Sequence, residues 1–392
     1  MNAKRVAVVF EGDIRNRMGV FNAVLNRVRH LRRVADYGID VHLLQVYDGA
    51  LMRCLRGSQP LEERPDNIQV EGETISLHWL KRSWADALGH RLLGKRPAHL
   101  LHKLDQIAAG LGGYSLISAH DRMGGYVARQ AAMSHNIPHT ITWHGASIHT
   151  DPFTDPMLKA ATIELLHHAS QNFFVSRGLL NKALELTTTF PACVLFNGAP
   201  ATFKQLPDHE RHTLRQELGA GNSKVVAFVG RFEPVKNVTL LPEIFSLIAR
   251  KFGQPVTFWT VGDGSEHEQV RQALDAVGLN VRMWGMQPQE MMPRLMNSID
   301  VLVLPSQREG LPLVTVEALQ CGANVVGSDV MGTAECIGHE NAFEINDKFI
   351  ERLTDRAVQM LNGHVQQPLP HDISWEVTAD KENEIYQKLM HP

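Results

Sequence analysis

Short runs of apolar and β-branched residues recur along the chain, separated by stretches long enough for one helix each. In the first half they are RVAVVF (5–10), DVHLLQV (40–46), YSLISAH (114–120), PHTITWH (138–144), NFFVS (172–176) and CVLFN (193–197). In the second half they are KVVAFVG (224–230), VTFWTVG (256–262), NVRMWG (280–285), DVLVLP (300–305) and ANVVGS (323–328). Many are apolar on both faces, as a parallel strand covered by helices on each side must be. Strand alternating with helix predicts an α/β chain with parallel sheets. Between the first two runs, Phe21, Val24, Leu25, Val28 and Leu31 fall on one helical face, the pattern of a helix resting on its own sheet. Trp375, Val377, Ile385, Tyr386 and Leu389 give the tail a helical pattern too.

Eleven such strands exceed one doubly wound sheet, and 392 residues exceed one hydrophobic core. Pro, Gly and polar residues cluster in NGAPATFKQLPD (197–208), which places a domain boundary there. The expected organisation is a Rossmann-like domain over residues 1–200, to which a helix at 374–392 packs back, and a second over 201–373. Two doubly wound domains facing across a cleft would bind ligands at the carboxyl ends of their strands.

Composition narrows the class. With 44% apolar and 21% charged residues the chain is ordinary globular protein. The opening MNAKRVAVVFEG has only a five-residue apolar run before Glu11, too short for a secretion signal or a membrane span. Cys54, Cys193, Cys321 and Cys336 show no C-x-x-C spacing, as expected of free thiols in a reducing cytoplasm. The net charge of −3 hides an asymmetry: residues 1–205 carry 23 Lys and Arg against 17 Asp and Glu, and the remainder 16 against 25. Residues 14–34 hold six arginines and no acid, and residues 78–103 six cations, one acid and two tryptophans. Such stretches suit either a solvated face or peripheral contact with an anionic membrane, at its inner face for a cytoplasmic protein.

Candidate chemistry lies immediately after strands. In VGRFEPVKN (229–237), Arg231 and Lys236 precede a helix, and two cations beside a helix N-terminus suit a diphosphate. In SQREGLPLVTVEA (306–318), Pro312 places the helix start at 311–313, with Glu309 before it and Glu317 inside it. The N–H groups of Gly310, Leu311 and Leu313 would then face a phosphate, and two offset carboxylates could each grip a pair of vicinal hydroxyls. The plainer alternative makes Glu309 a helix-dipole partner and Glu317 a solvated helix residue.

PSQREGLPLVTVEALQCGANVVGSDVMGTAE resembles the signature of family 4 retaining glycosyltransferases of GT-B fold. Their Glu–seven residues–Glu motif matches Glu309 and Glu317, and their arginine–lysine phosphate pair matches Arg231 and Lys236. VLFNGAP resembles the segment that opens their second domain, and SWE resembles the start of their crossover helix. The resemblance implies that Glu309 contacts the donor sugar, that Glu317 contacts the nucleoside ribose, and that the backbone at Gly310–Leu313 holds the phosphates. Two departures stand out: Met331-Gly332 and Met18-Gly19 replace glycine pairs, leaving Gly19 to approach the diphosphate. His120 in SAHDRMGG and His144 in TWHGAS each follow a strand and by resemblance line the sugar side of the cleft, with Asp121 and Ser147 as nearby polar candidates.

The implied activity is transfer of a hexose-type sugar from a nucleotide-diphosphate sugar, UDP by family frequency, to a hydroxyl on a carbohydrate or lipid-linked acceptor. Surface polysaccharide or glycolipid synthesis is the setting. No cofactor is expected. The absence of D-x-D, H-E-x-x-H and paired C-x-x-C points to a metal-independent reaction. VGDGSEHEQV has G-x-G without the third glycine, which argues against a nicotinamide enzyme. Rival readings are a nucleotide-sugar epimerase or phosphorylase of the same fold and a non-catalytic two-lobed sugar binder. A nucleic-acid binder lacks the interleaved aromatic and basic motifs and leaves the glutamates unexplained.

Overall fold

The computed structural model describes residues 4–15, 19–49, 53–54, 63–86, 88, 97–363, 367–368, 370 and 373–391. The chain divides into two compact units, Met1–Asn197 with Trp375–Pro392, and Gly198–Ser374.

The first unit holds one sheet built from β1 (Arg5–Glu11), β2 (Gly38–Asp48), β3 (Asn67–Val70), β4 (Glu73–Arg82), β5 (Leu116–His120), β6 (His139–Trp143), β7 (Gln171–Phe174) and β8 (Ala192–Val194). Their order is β3-β4-β2-β1-β5-β6-β7-β8, parallel throughout except the β3–β4 hairpin at the edge. The hairpin escapes the apolar-run pattern because β4, in ETISLHWLKR, alternates buried and exposed positions. In the second unit β9 (Lys224–Val229), β10 (Val256–Val261), β11 (Val281–Met283), β12 (Val301–Leu304), β13 (Asn324–Ser328) and β14 (Ala342–Phe343) form an all-parallel sheet, ordered β11-β10-β9-β12-β13-β14. Relative to its first strand this is the doubly wound order 3-2-1-4-5-6. The two-residue β14 is too short to leave a sequence signal.

Strand order has a functional consequence. In each sheet the chain leaves the first strand in one direction and later returns to build on the other side. A crevice therefore opens at the carboxyl ends of β1 and β5 in the first unit, and of β9 and β12 in the second. The loops carrying the candidate residues start there.

The helix Val20–Val34 buries Phe21, Val24, Leu25, Val28 and Leu31 against the first sheet, each burial stabilising by roughly 1.5–3 kcal/mol. The carboxy-terminal helix Trp375–Met390 packs beside it, burying Trp375, Ala379 and Tyr386. The basic stretch 14–34 is largely committed within the fold. Arg15 pairs with Asp13 (2.8 Å), Arg27 with Glu382 (2.5 Å), Arg29 with Glu71 (2.6 Å) and Arg32 with Glu73 (3.1 Å). In the second basic stretch Arg82 pairs with Asp48 at 3.0 Å and Trp84 is exposed. Arg17, Arg91, Lys95 and Arg96 lie outside the described residues. Among the described residues no helix is long and apolar enough to cross a membrane.

Candidate functional site

In the second unit the loop after β9 is held by close backbone packing. Gly230 N–H bonds Val261 O (2.9 Å), Phe232 N–H bonds Asp263 O (2.9 Å) and Glu266 N–H bonds Phe232 O (2.8 Å). These contacts leave no room for side chains opposite. A Cβ on Gly262, at φ 126°, would stand 2.0 Å from Gly230 O, and one on Gly264 would stand 2.5 Å from Phe232 O. The G-x-G of VGDGSE thus serves backbone approach between two loops. Glu233 accepts from Ser265 N–H (3.2 Å) and Oγ (2.7 Å), bonds that hold its carboxyl below the usual range. Arg231 stands exposed in this braced loop.

A short turn, Pro234–Lys236, ends at Asn237 in the left-handed region at φ 56°. It brings Lys236 Nζ to 2.6 Å from Glu309 Oε1. Glu309 belongs to the loop after β12, which is tied to the same turn by Gln307 N–H donating to Val235 O at 2.8 Å and to β13 by the Ser328 hydroxyl on Ser306 O. With side-chain exposures of 18% and 9%, Lys236 and Glu309 interact with little water between them, which strengthens their attraction.

The helix after this loop runs Leu313–Gln320, preceded by Pro312. Thr315 N–H returns to Pro312 O at 2.9 Å, while the N–H groups of Leu313 and Val314 precede the helical ladder. Leu311 is buried and Gly310 half-buried beside them. Glu317, one turn inside, is half-buried and has no hydrogen-bond partner for its carboxyl among the described residues. Burial lifts its pKa to about 8. It is therefore not a freely solvated helix residue. Its charge in turn contributes, after burial, to raising the Cys321 thiol to about 12. Met331, where a glycine would sit comfortably, is held at φ 40°.

In the first unit His120 ends β5 and His144 directly follows β6. Both are buried, and His120 Nδ1 lies 2.9 Å from His144 Nε2, with the rings stacked 5.2 Å apart. Burial presses both imidazoles toward the neutral form, His144 to about 3, and the charge of Arg27 acts in the same direction. Asp121, at φ 54°, accepts from the backbone N–H of His144 at 3.2 Å. Burial, then the charge of Glu11, raises its carboxyl to about 6. Ser147 also bonds to Asp121, so the two lower-ranked polar candidates join the histidines in one cluster. Gly19 opens the helix after β1 at φ 62° and ψ −118°, a conformation that requires glycine, with nothing within 4 Å of where a Cβ would lie. Its neighbour Met18 lies outside the described residues.

Sequence reasoning missed Arg27 and Glu382, which it placed in a basic surface and a generic helix. Only the position of Arg27 on the apolar stripe of its helix (24, 27, 28, 31) could have marked it. Among the described residues no group of three or more His, Cys, Asp or Glu is placed to hold a metal ion.

Residues 210–374 match the family described as Glycosyl transferases group 1. The 2-deoxystreptamine N-acetyl-D-glucosaminyltransferase of Streptomyces fradiae is 33% identical over 135 residues, 34% of this chain and 32% of that protein. The 2-deoxystreptamine glucosyltransferase of Streptomyces kanamyceticus is 26% identical over 339 residues, 79% of this chain and 82% of that one. The chain thus spans about a third of the first relative and most of the second. Among solved structures, sucrose-phosphate synthase of Thermosynechococcus elongatus superposes with a TM-score of 0.74 at 16% identity, covering 98% of this chain and 99% of that one. HepE of Anabaena in complex with UDP gives 0.68 at 18% identity, covering 98% and 97%. The fold is GT-B.

Proposed function

We propose that this chain is a retaining glycosyltransferase of the family 4 type, moving a hexose-type sugar from a UDP-sugar to a hydroxyl acceptor in polysaccharide or glycolipid synthesis. The observation that carries the reading is the 2.6 Å pairing of Lys236 with Glu309 beside the helix start at Leu313, inside the region matching the group 1 family. In this reading Arg231, Lys236 and the N–H groups from Gly310 to Leu313 take the diphosphate, which competes with Glu309 for the lysine. Glu309, released from that pair, accepts from sugar hydroxyls, and Glu317 accepts from the ribose diol. Gly19 gives the diphosphate a close backbone neighbour, and His120 and His144 line the sugar side.

The chemistry asks little covalent work of the protein. The acceptor hydroxyl attacks the anomeric carbon on the face the diphosphate leaves. The carbon–oxygen bond to phosphate breaks as the new glycosidic bond forms, and the acceptor proton passes to the departing diphosphate oxygen. Positioning and stabilisation of the leaving group's charge then carry the rate, with the two cations and the helix N-terminus in the role a metal ion fills elsewhere. Cytoplasmic action at an anionic membrane face belongs to the same proposal, supported by exposed Trp84.

Melting curves with UDP-, GDP- and ADP-sugars test the donor, since a ligand that binds only folded protein raises Tm. A UDP-sugar should give the largest rise and support turnover in EDTA. Glu309→Gln should lower kcat on the order of 10²–10³-fold while leaving Tm close to wild type. No rise with any nucleotide sugar, a strict demand for divalent metal, or full activity in Glu309→Gln would each defeat the reading.

A further inference from the structure

A hydrogen-bonded chain of side chains in the first unit lies toward the amino ends of its strands, away from the loops of the candidate site. His42 of β2 stands at its centre, 9% exposed, with both ring nitrogens engaged. Its Nδ1 lies 3.0 Å from His78 Nε2 on β4, and its Nε2 lies 3.0 Å from the Tyr114 hydroxyl in the turn before β5. The two imidazoles stack 5.3 Å apart, and the Tyr114 ring meets His42 edge-on at 5.7 Å. Arg5 of β1 carries its guanidinium 5.2 Å from the Tyr114 ring centre and bonds Asp40 of β2 at 2.6 Å. Through one buried ring, β2 is thus joined to the edge hairpin and to the turn that leads into β5.

Counting hydrogens shows what this chain tolerates. A neutral imidazole has one N–H and one lone pair, so neutral His42 donates along one of its two bonds and accepts along the other. A first proton leaves both bonds in place. On His78 it makes Nε2 a donor to His42 Nδ1; on His42 it makes both nitrogens donors, to His78 and to the phenol oxygen. A second proton puts hydrogens on both of the nitrogens that face each other, and the bond between the rings gives way to repulsion of two cations. His78 and Tyr114 are half-buried, so protons reach the ends of the chain before its middle.

We infer that Tyr114, His42 and His78 form an acid-sensitive clasp, which ties the edge hairpin and the turn before β5 to β2 and releases them when both rings are charged. The charged groups facing it are Asp40 and Arg5, already paired with each other. Register sets Ser76 of β4 and Val9 of β1 on either side of His42. The helix Ala98–Ala109, packed against β4, buries Leu104 and Ala108, while its His102 and Lys103 are exposed and its Asp105 is bound by Tyr126 and Gln130. His135, which ends the helix Asp121–His135, lies over the turn at Gly112 and bonds Ala109 O at 3.2 Å. Burial, then the charge of His78, presses His42 from 6.5 to about 4, with Asp40 opposing and Arg5 adding to the shift; burial lowers His78 as well. Below pH 6.5 the unfolded chain therefore binds more protons than the folded one, and the clasp's contribution to stability falls as pH drops from 6.5 to 4.

Hydrogen–deuterium exchange of the full chain from pH 7 to 3.5, corrected for the intrinsic pH dependence of amide exchange, tests the clasp. Residues 73–82 and 110–116 should lose protection by about fivefold or more across a step near pH 4, while β9 to β12 of the second unit keep theirs. The buried rings of His120, His139 and His144 are displaced in the same direction, so a variant must isolate the clasp. The double variant His42→Gln with His78→Gln keeps hydrogen-bonding side chains that take no proton, and its two segments should show no step. A step that persists in the folded double variant overturns the inference, as do wild-type segments that lose no more protection than the second unit. Should the double variant not fold, wild type with nitrogen-labelled histidine decides. A scalar coupling across the His42–His78 hydrogen bond, present at pH 7 and lost on acidification through about pH 4, supports the clasp; no coupling at any pH, or one that survives to pH 3.5, overturns it. These measurements need no donor or acceptor, so their failure leaves the transfer reading standing.

Discussion

Glu317 shows how far a residue's role depends on neighbours it does not meet in sequence. Its spacing from Glu309 marks it, but spacing cannot say whether the carboxyl is solvated. In the fold it is desolvated and its pKa rises from an ordinary 4.5 to about 8. Between those values the folded chain keeps a proton that the unfolded chain has lost, so this group makes stability fall as pH rises from 4.5 to 8. Glu317→Gln has no such proton. The variant's Tm should match wild type near pH 4.5 and exceed it increasingly up to pH 8, by about 2–4 °C for each kcal/mol recovered. A constant offset across that range would contradict the desolvated carboxyl. The histidines make the same point. Their place after strands is readable from periodicity, whereas their 2.9 Å hydrogen bond depends on β5 and β6 lying side by side.

At the scale of elements, apolar runs located nearly every central strand, because burial on both faces leaves an unbroken signal. β3, β4 and β14 left none: the first two form a half-exposed hairpin and the last is two residues long. Loop geometry was less legible. Gly262 and Gly264 read as an incomplete dinucleotide motif, but they are glycines because the loop bearing Arg231 lies against them. Gly262→Ala would put a Cβ 2.0 Å from Gly230 O at a φ of 126°, which no flexible side chain can relieve. We expect a loss of about 3 kcal/mol in denaturant unfolding and, on the proposed function, weaker nucleotide-sugar binding as the Arg231 loop is displaced. A variant with unchanged stability would mean that this packing is looser than it stands here.

For the whole molecule the governing feature is that residues 375–390 belong with residues 4–197. The tail's helical pattern was readable, but not the buried pair Arg27–Glu382, whose partners stand 355 positions apart. Glu382→Ala strands a buried guanidinium, so it should cost about 3–5 kcal/mol. The loss should fall on the first unit, and a melt followed by probes in each unit should show the first unfolding at lower temperature while the second keeps its wild-type midpoint. A single unchanged transition would show that the pair is dispensable.

The return of the last helix also places Lys4 Nζ 3.1 Å from Met390 O, so the start of the first strand lies beside the end of the last helix. The second unit is therefore an insertion into the first. During synthesis the stretch 198–374 can complete its own core while one face of the earlier sheet is covered only in part, by the Val20–Val34 helix, until residues 375–390 emerge to finish it. A circular permutant that joins these neighbouring ends and opens at residue 197 would make each lobe continuous in sequence. Such a chain should refold faster than the natural order while melting at about the same temperature.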